Sequence, residues 1–430
     1  MKKATKILSL LLALAMVLSL AACGGKTPEA ATGSTQASGT AQSAAAAQTT
    51  IEWWTPNWDE AASREFVEEF EAENPDIHVE LVITDWDTYK SKITTAISTT
   101  GAPELVTILL TDVAPFVNKN LLEPLNDRAA AAGTDLGDFI DAALDITSVD
   151  GEAYGLPFRY DGSGIYYNVD MLKQYGYDSF PETWAEMLEL CDKVKADGKY
   201  GFAWPLGNQA NSATRLVQQL YTYGGDVLNA DETECLLNSD AAKSALNAIV
   251  SSIQNGEASP SSLEYDNTTM REAFGAGELA FNFTGPFDAA TLDADYPDLN
   301  YATAVIPGVD GMGCTTANGW CVAMARNCDE ENKEAAAKFL AYIVEPENQA
   351  RITQSFPASK TSIQDEKFAT DVLKPFAEQL NNSRPEPAFA RWSEMEPIIY
   401  EYMQYAVSGS MTVEEACEGM TKDINSLLQS

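Results

Sequence analysis

The chain has 430 residues, of which 45% are hydrophobic, and its 64 acidic against 27 basic side chains give a formal net charge of -37. So acidic a surface repels nucleic acid and anionic lipid headgroups, which excludes a nucleic-acid or polyphosphate partner. A body of this length exceeds what one hydrophobic core usually serves, so we expect two lobes.

The first residues have the features of an export signal. Lys2, Lys3 and Lys6 precede an uncharged, mostly apolar stretch over residues 7–20, which is too short to span a bilayer. The following Leu20-Ala-Ala-Cys23 resembles the bacterial lipoprotein signal, in which the Cys thiol receives a lipid such as palmitate and becomes the mature N-terminus. The resemblance implies a signal peptide over 1–22, lipidation at Cys23 and a lipid anchor on the extracellular face of the cell membrane.

Residues 23–50 differ in composition from everything that follows. They are mainly Ala, Thr, Ser, Gly and Gln, with almost no large apolar side chain. Such a segment buries too little surface to offset its ordering entropy. We therefore expect a flexible tether.

The body begins with an alternation of strands and helices. Strands are predicted over 51–54, 77–83 and 104–110, and helices over 60–73 and 89–98. Strands separated by helices of this length favour a parallel α/β sheet, in which ligands lie beyond the carboxyl ends of the strands. Those ends are 54–59, 85–89 and 110–113.

Two later helices begin with a capping-box sequence. Thr183 is followed three residues later by Glu186, and Thr412 by Glu415. Trp184 lies at the first of these helix starts, where a packing role is expected because tryptophan is usually well buried.

The small number of histidines, and the absence of a cysteine near His78 in the sequence, limit the catalytic and metal-binding chemistry open to this chain. The one histidine, His78, faces away from Ile77, Val79 and Leu81 if this stretch is a strand. Without a second histidine or a thiol beside it, neither nucleophilic triads nor multi-histidine zinc sites are supported. No phosphate-binding G-x-x-x-x-G-K-[ST] sequence occurs. We expect no cofactor and no metal, although an enzyme using two carboxylates stays open.

Six cysteines remain beyond Cys23, and none forms a C-x-x-C pair. They are Cys191, Cys235, Cys314, Cys321, Cys328 and Cys417. Their even number permits disulfides after export. The sequence favours isolated, buried thiols instead.

Several short motifs then follow in a fixed order. They are Gly151-Glu-Ala-Tyr-Gly-Leu-Pro157, Tyr166-Tyr-Asn168, Pro181-Glu-Thr-Trp184, Gly277-Glu-Leu-Ala-Phe-Asn-Phe-Thr-Gly-Pro-Phe287, Ile306-Pro-Gly308, Asn318-Gly-Trp320 and Phe356-Pro-Ala358. In this order they resemble the family 1 extracellular solute-binding proteins, of the maltose-binding-protein-like kind. The resemblance covers nearly all of the chain beyond the tether.

This resemblance implies a type II periplasmic-binding-protein fold, with two α/β lobes and an interlobe ligand cleft that closes by hinge motion. By similarity, one lobe takes 51–160 plus 326–371, and the other takes 162–324 plus 372–430. Such a protein is a monomer without enzymatic activity. It collects a carbohydrate and delivers it to the permease of an ABC importer.

A sugar site needs aromatic rings for the C–H faces of a pyranose and carboxylates or amides for its hydroxyls. The first candidate is Asp161, which stands at the same distance before Tyr-Asn as the family's ligand-binding acid. Asp112, after the third strand, is a second candidate acid. The other candidate ligand-binding residues are Trp54, Asn57, Trp58, Phe287, Trp320, Trp392, Arg391, Trp204 and Asn208.

Other functions remain open at this point. An extracellular glycosidase or lyase would need two carboxyl groups facing one bond. A surface adhesion module for a polymer would prefer long chains. A cationic solute such as a polyamine is compatible with an acidic cleft, although the aromatic content favours sugar.

Overall fold

Two β-sheets and a short hairpin organise the chain in the computed structural model, which describes residues 48–353, 355–389 and 391–430. The strands are β1 (Thr49–Pro56), β2 (Ile77–Thr84), β3 (Leu105–Leu109), β4 (Ser148–Val149), β5 (Glu152–Ala153), β6 (Gly155–Gly162), β7 (Gly164–Asn168), β8 (Phe281–Thr284), β9 (Tyr301–Ala304), β10 (Thr315–Met324) and β11 (Ser383–Pro385).

The helices pack on the faces of these sheets. They are α1 (Glu60–Glu73), α2 (Trp86–Ala96), α3 (Val113–Asn118), α4 (Asn126–Ala132), α5 (Asp141–Ile146), α6 (Val169–Gln174), α7 (Trp184–Ala196), α8 (Gln209–Thr222), α9 (Asp240–Gln254), α10 (Asn267–Gly275), α11 (Asp288–Asp295), α12 (Lys333–Val344), α13 (Pro346–Ile352), α14 (Lys374–Gln379), α15 (Trp392–Val407) and α16 (Val413–Leu428).

The first sheet has six strands. β1 lies between β2 and β3, and both pairs are parallel, as the sequence predicts for this part of the chain. β10 continues the sheet antiparallel to β3, and β6 pairs with the other edge of β10. β11 pairs in parallel with the start of β10. Three strands from later parts of the chain thus join the parallel core, and the complete sheet is mixed because β10 and β11 run antiparallel to that core.

Alternation along β1 explains how this sheet is covered on both faces. Trp53 is fully buried in one core, together with Ile51, whereas Trp54 packs against the core on the opposite face. On β2, Ile77 and Val79 are buried and His78 is exposed, where its ring contacts a carboxylate of α1. The predicted strands, the helix over 60–73 and the outward orientation of His78 are confirmed.

The second sheet consists of β8, β7 and β9 in antiparallel pairs. Its two faces again carry separate cores, because Ile165 and Phe283 point to one face and Tyr166 to the other. Helices α8, α9, α15 and α16 pack together on the first of these faces. Capping boxes start α7 at Thr183 and α16 at Thr412, as predicted.

We call the first sheet with its helices the first lobe, and the second sheet with its helices the second lobe. The chain passes between them from β6 to β7, from β9 to β10, from α13 to α14, from α14 to β11, and from β11 to α15. The boundaries expected from sequence placed residues 315–324 and 383–385 in the second lobe. In the structure these residues are β10 and β11 and pair within the first sheet, because backbone hydrogen bonding continues past the crossing.

All six cysteines of the described residues are buried free thiols. Among these same residues, no helix combines the length and apolar character that crossing a membrane requires. The signal peptide, Cys23 and the tether up to residue 47 lie outside the described residues.

Candidate functional site

The candidate site follows from where the strands of the first sheet end. β1 ends at Pro56 and β3 at Leu109, and each continues into a single 3-10 turn. β6 and β10 extend beyond these ends toward the second lobe, and there Asp161 stands opposite Asn318 in the antiparallel register. Side chains at this end of the sheet therefore face the junction of the two lobes.

Asp161 is almost completely buried, with 9% of its surface exposed. Its Oδ2 accepts hydrogen bonds from Arg159 Nε at 2.6 Å and from Ser355 Oγ at 2.5 Å. Its Oδ1 accepts none from the described residues, so one oxygen of a well-anchored carboxylate remains for another donor.

Arg159 connects the two lobes at this point. Its guanidinium lies 4.9 Å from the ring centroid of Phe287, which stands at the start of α11 in the second lobe. It also faces Asp59 after β1: burial raises the pKa of Asp59 to about 6, while the charge of Arg159 lowers it. We call the group Asp59, Arg159, Asp161, Phe287 and Ser355 the interlobe site.

The backbone around Arg159 is unusually close to β10. A Cβ atom on Gly319 would lie 1.8 Å from the carbonyl oxygen of Arg159, so only glycine fits there. The next residue, Trp320, is 8% exposed and meets Trp58 edge to face with ring centroids 4.9 Å apart. The glycine thus brings an aromatic pair to the interlobe site.

Charged residues form a second group beside the interlobe site. Lys90 Nζ pairs with Asp112 Oδ1 at 2.9 Å. Burial alone would lower the pKa of Lys90, but Asp112 and the carboxylates of Glu396 and Glu386 raise it. Glu386 also accepts hydrogen bonds from Thr214 and Asn318. We call Lys90, Asp112, Glu386 and Glu396 the Lys90 cluster.

Glu396, on α15 of the second lobe, is the acid of the Lys90 cluster whose negative charge is least stabilised. Burial raises its pKa to about 7, and the charges of Glu386 and Asp112 raise it too. Lys90 lowers it, as does a hydrogen bond with Trp392. The cluster holds three carboxyl groups against one ammonium group.

A further acid-base pair lies on the second lobe next to Phe287. Asp288 is 1% exposed and accepts hydrogen bonds from Arg271 at 2.8 Å and Thr284 at 2.8 Å. Burial raises the pKa of Asp288, and Arg271 opposes this effect. The pair fixes the start of α11 and hence the place of the Phe287 ring.

Of the predicted residues, Asp161, Phe287, Trp58, Trp320 and Asp112 lie in or beside these two groups. Asn57 is exposed in the turn after β1. Trp392 is 8% exposed, packs in the core of the second lobe and reaches Glu396.

The structure places four predicted residues elsewhere. Trp204 is fully buried, stacks on Phe283 and donates to Ser252, so it belongs to the core. The indole of Trp54 turns back along β1 to Glu52, away from the carboxyl end of the sheet.

The other two stabilise helix ends. Asn208 accepts from the backbone N–H of Asn211 and caps α8. Arg391 pairs with Glu394 and donates to the carbonyl of Leu427 near the end of α16. Its guanidinium is therefore already engaged at the C-terminal end of the chain.

Sequence reasoning did not name Arg159, Ser355, Lys90, Glu386 or Glu396. For Arg159 a signal existed, since it stands two residues before Asp161 on one strand and so shares its face. The other four come from separate segments that only the tertiary fold brings to this junction. Among the described residues, no group of three or more side chains is arranged to hold a metal ion.

Known proteins share both the sequence pattern and the fold. A family model described as "Bacterial extracellular solute-binding protein" matches residues 55–350. A protein of Brucella abortus (strain 2308) named as a binding protein is 29% identical over 346 residues, 78% of this chain and 82% of that protein. A lactose-binding protein of Rhizobium radiobacter is 26% identical over 280 residues, 64% of each chain.

The fold likeness comes from a solved structure, maltose-bound MalE3 of T. maritima. It matches with a TM-score of 0.78 at 24% identity, over 88% of this chain and 100% of that one. This likeness confirms the predicted two-lobed α/β fold.

Proposed function

The chain belongs to the bacterial extracellular solute-binding proteins, and on this premise we propose that it captures a carbohydrate between its lobes and passes it unchanged to an ABC importer. Members of this family bind solutes and are not enzymes, so no bond of the guest is broken. The printed names of a lactose-binding relative and of a maltose-bound structural neighbour support a sugar as the guest.

One observation carries the proposal: a carboxylate and an aromatic ring from different lobes meet around Arg159. Asp161 Oδ1 is available to accept from a sugar hydroxyl, in a charge-assisted bond worth about 1.5–3 kcal/mol. Phe287 offers a ring for the C–H face of a pyranose, and Trp58 with Trp320 extends the aromatic surface. Asp112 and Asn57 are the further proposed contacts.

The sequence before residue 48 supports the remaining parts of the proposal. Leu20-Ala-Ala-Cys23 favours removal of residues 1–22 and attachment to the membrane by lipid on Cys23. The body then acts as a monomer at the outer face, within reach of the permease.

A second candidate guest is a sugar or polyamine that carries an ammonium group. The specific observation is the Lys90 cluster, in which three carboxyl groups surround a single ammonium group. A cationic guest would balance the charge of the carboxyl groups that Lys90 does not neutralise.

A thermal-shift screen tests both candidates on protein that starts at residue 48. A guest present at about 100 times its Kd stabilises the folded form by about 2.7 kcal/mol, which raises the melting temperature by roughly 3 °C or more. Maltose, lactose and further mono- and oligosaccharides form one arm, and spermidine and glucosamine form the other.

We expect a shift with at least one neutral sugar. A shift with the cationic compounds alone would favour the second candidate. If no sugar in a broad panel raises the melting temperature, carbohydrate capture is wrong.

A further inference from the structure

Asp161 is held by a segment that lies almost 200 residues further along the chain. Ser355 follows α13, is fully buried, and donates from Oγ to Asp161 Oδ2. Arg159 donates to the same oxygen. Two donors on one oxygen fix the rotation of the carboxylate, and no donor from the described part of the chain reaches Oδ1.

The segment that supplies Ser355 runs beside β6. Tyr160 N donates to the carbonyl of Phe356 at 3.0 Å, and Ala358 N donates to the carbonyl of Phe158 at 3.3 Å. Arg159 and Pro357 form an antiparallel bridge between these two bonds. We call residues 355–358 the strap, since backbone hydrogen bonds bind it to the strand that carries Asp161.

The strap also contacts the second lobe. The side chain of Phe356 is 1% exposed and belongs to the core on the Tyr166 face of the second sheet. Its ring lies 6.1 Å from that of Phe368 in the same core. Consecutive strap residues therefore touch the acid of the first lobe and the core of the second.

We propose that Ser355 is a positioning residue for Asp161, aligning its carboxylate for the guest before the guest arrives; this rests on the proposed function, in which Asp161 accepts from a sugar hydroxyl. A group that is already ordered costs less to bring into a complex than one that must be immobilised on binding. Because Phe356 anchors the strap in the second lobe, the relative position of the lobes sets this alignment.

The first test needs no ligand. Crystal structures of S355A without sugar are expected to show the Asp161 carboxylate rotated or spread over more than one rotamer. The matched control is S362A, because Ser362 is also buried and its Oγ has no hydrogen-bond partner among the described residues. Asp161 should keep its wild-type rotamer in S362A. An unchanged, well-ordered Asp161 in S355A would overturn the proposal.

The second test measures affinity by calorimetry, with maltose as the first probe and otherwise the panel sugar that gives the largest thermal shift. We expect S355A to bind about tenfold more weakly, because a correctly aligned hydrogen bond is partly lost. S362A should bind as the wild type does, and D161A should lose more. In a D161A background, S355A should add little, since both changes act on one contact.

The outcomes separate the two proposals. A tenfold loss in D161A with no loss in S355A overturns the positioning role and leaves the proposed function. Wild-type affinity in D161A removes Asp161 from the site and overturns the positioning role, while carbohydrate capture stands. If the wild type binds no panel sugar, carbohydrate capture fails, and the ligand-free structures alone decide the role of Ser355.

Discussion

Glu396 and Asp59 are partly buried carboxyl groups that form no ion pair within the described residues, although the charges of Lys90 and Arg159 act on them. Burial raises the pKa of Glu396 to about 7 and that of Asp59 to about 6. Asp161 and Asp112, by contrast, form ion pairs with Arg159 and Lys90. At the residue scale, acids close together in space therefore differ in whether a cation pairs with them directly.

The raised pKa of Glu396 gives a prediction with a definite sign. Its ordinary value is 4.5, so the folded protein holds this proton more tightly than the unfolded chain does. The contribution of Glu396 to stability is full below about pH 4.5 and is lost as the pH rises to about 7. We expect E396Q, which stays neutral, to match the wild type at pH 4.5 and to exceed its free energy of unfolding at pH 8. Urea unfolding at a series of pH values measures this difference.

Glu394, on the same helix, provides the control. Its hydrogen bond with Arg391 lowers its pKa, so its contribution is present at neutral pH and lost on acidification. E394Q should therefore gain no stability at pH 8. Equal pH profiles for E396Q and the wild type would show that Glu396 titrates normally in the folded state.

Residue type alone separated the site from the core only in part. Asp161 is predicted as a site residue because it precedes Tyr-Asn at a recognisable distance. Trp204 and Trp320 are both tryptophans beside small or apolar neighbours, yet one is entirely in the core and the other contacts Trp58. An indole supplies apolar area to either environment, so its sequence context does not say which one it occupies.

At the scale of single elements, helix starts follow from a few neighbouring residues. Thr183 accepts from the backbone N–H of Glu186, and the Glu186 side chain accepts from the backbone N–H of Thr183. Both bonds connect residues three apart, so the sequence contains all that α7 needs to begin.

We expect T183A to lower the free energy of unfolding by about 1 kcal/mol, because the N–H of Glu186 loses its acceptor. Chemical denaturation measures the change. T183S keeps a hydroxyl at the same position and should retain most of the stability. Wild-type stability in T183A would mean that water replaces the cap without cost.

Strand partners were harder to predict than strand positions. β6 and β10 pair through residues such as Asp161 and Asn318, which are more than 150 positions apart. Hydrophobic alternation marks a strand but does not identify its neighbour. The mixed sheet and the placement of β10 in the first lobe therefore had no local signal.

At the scale of the whole molecule, the two lobes are joined by five chain crossings and by contacts such as Arg159 on Phe287. Chain crossings between two lobes can act as a hinge, about which the lobes close around a guest. A guest that binds both lobes favours the closed form by its differential affinity for that form.

We expect the panel sugar with the largest thermal shift to reduce the radius of gyration, as measured by small-angle X-ray scattering at saturating concentration. The sugar should have a much smaller effect on D161A at the same concentration, because less of that variant is bound. Binding without any change in the scattering profile would contradict closure and indicate a rigid, preformed site.

The sequence by itself determined the acidic composition, the early strands and helices, the capping boxes and the family to which the motifs belong. These features depend on composition or on residues close together in the chain. Only the tertiary structure decided that Ser355 holds Asp161, that the Lys90 cluster draws on four separate segments and that Trp204 lies in the core. The physical reason is that hydrogen bonding and burial act through space, so contacts between distant segments exist only once the fold has brought them together.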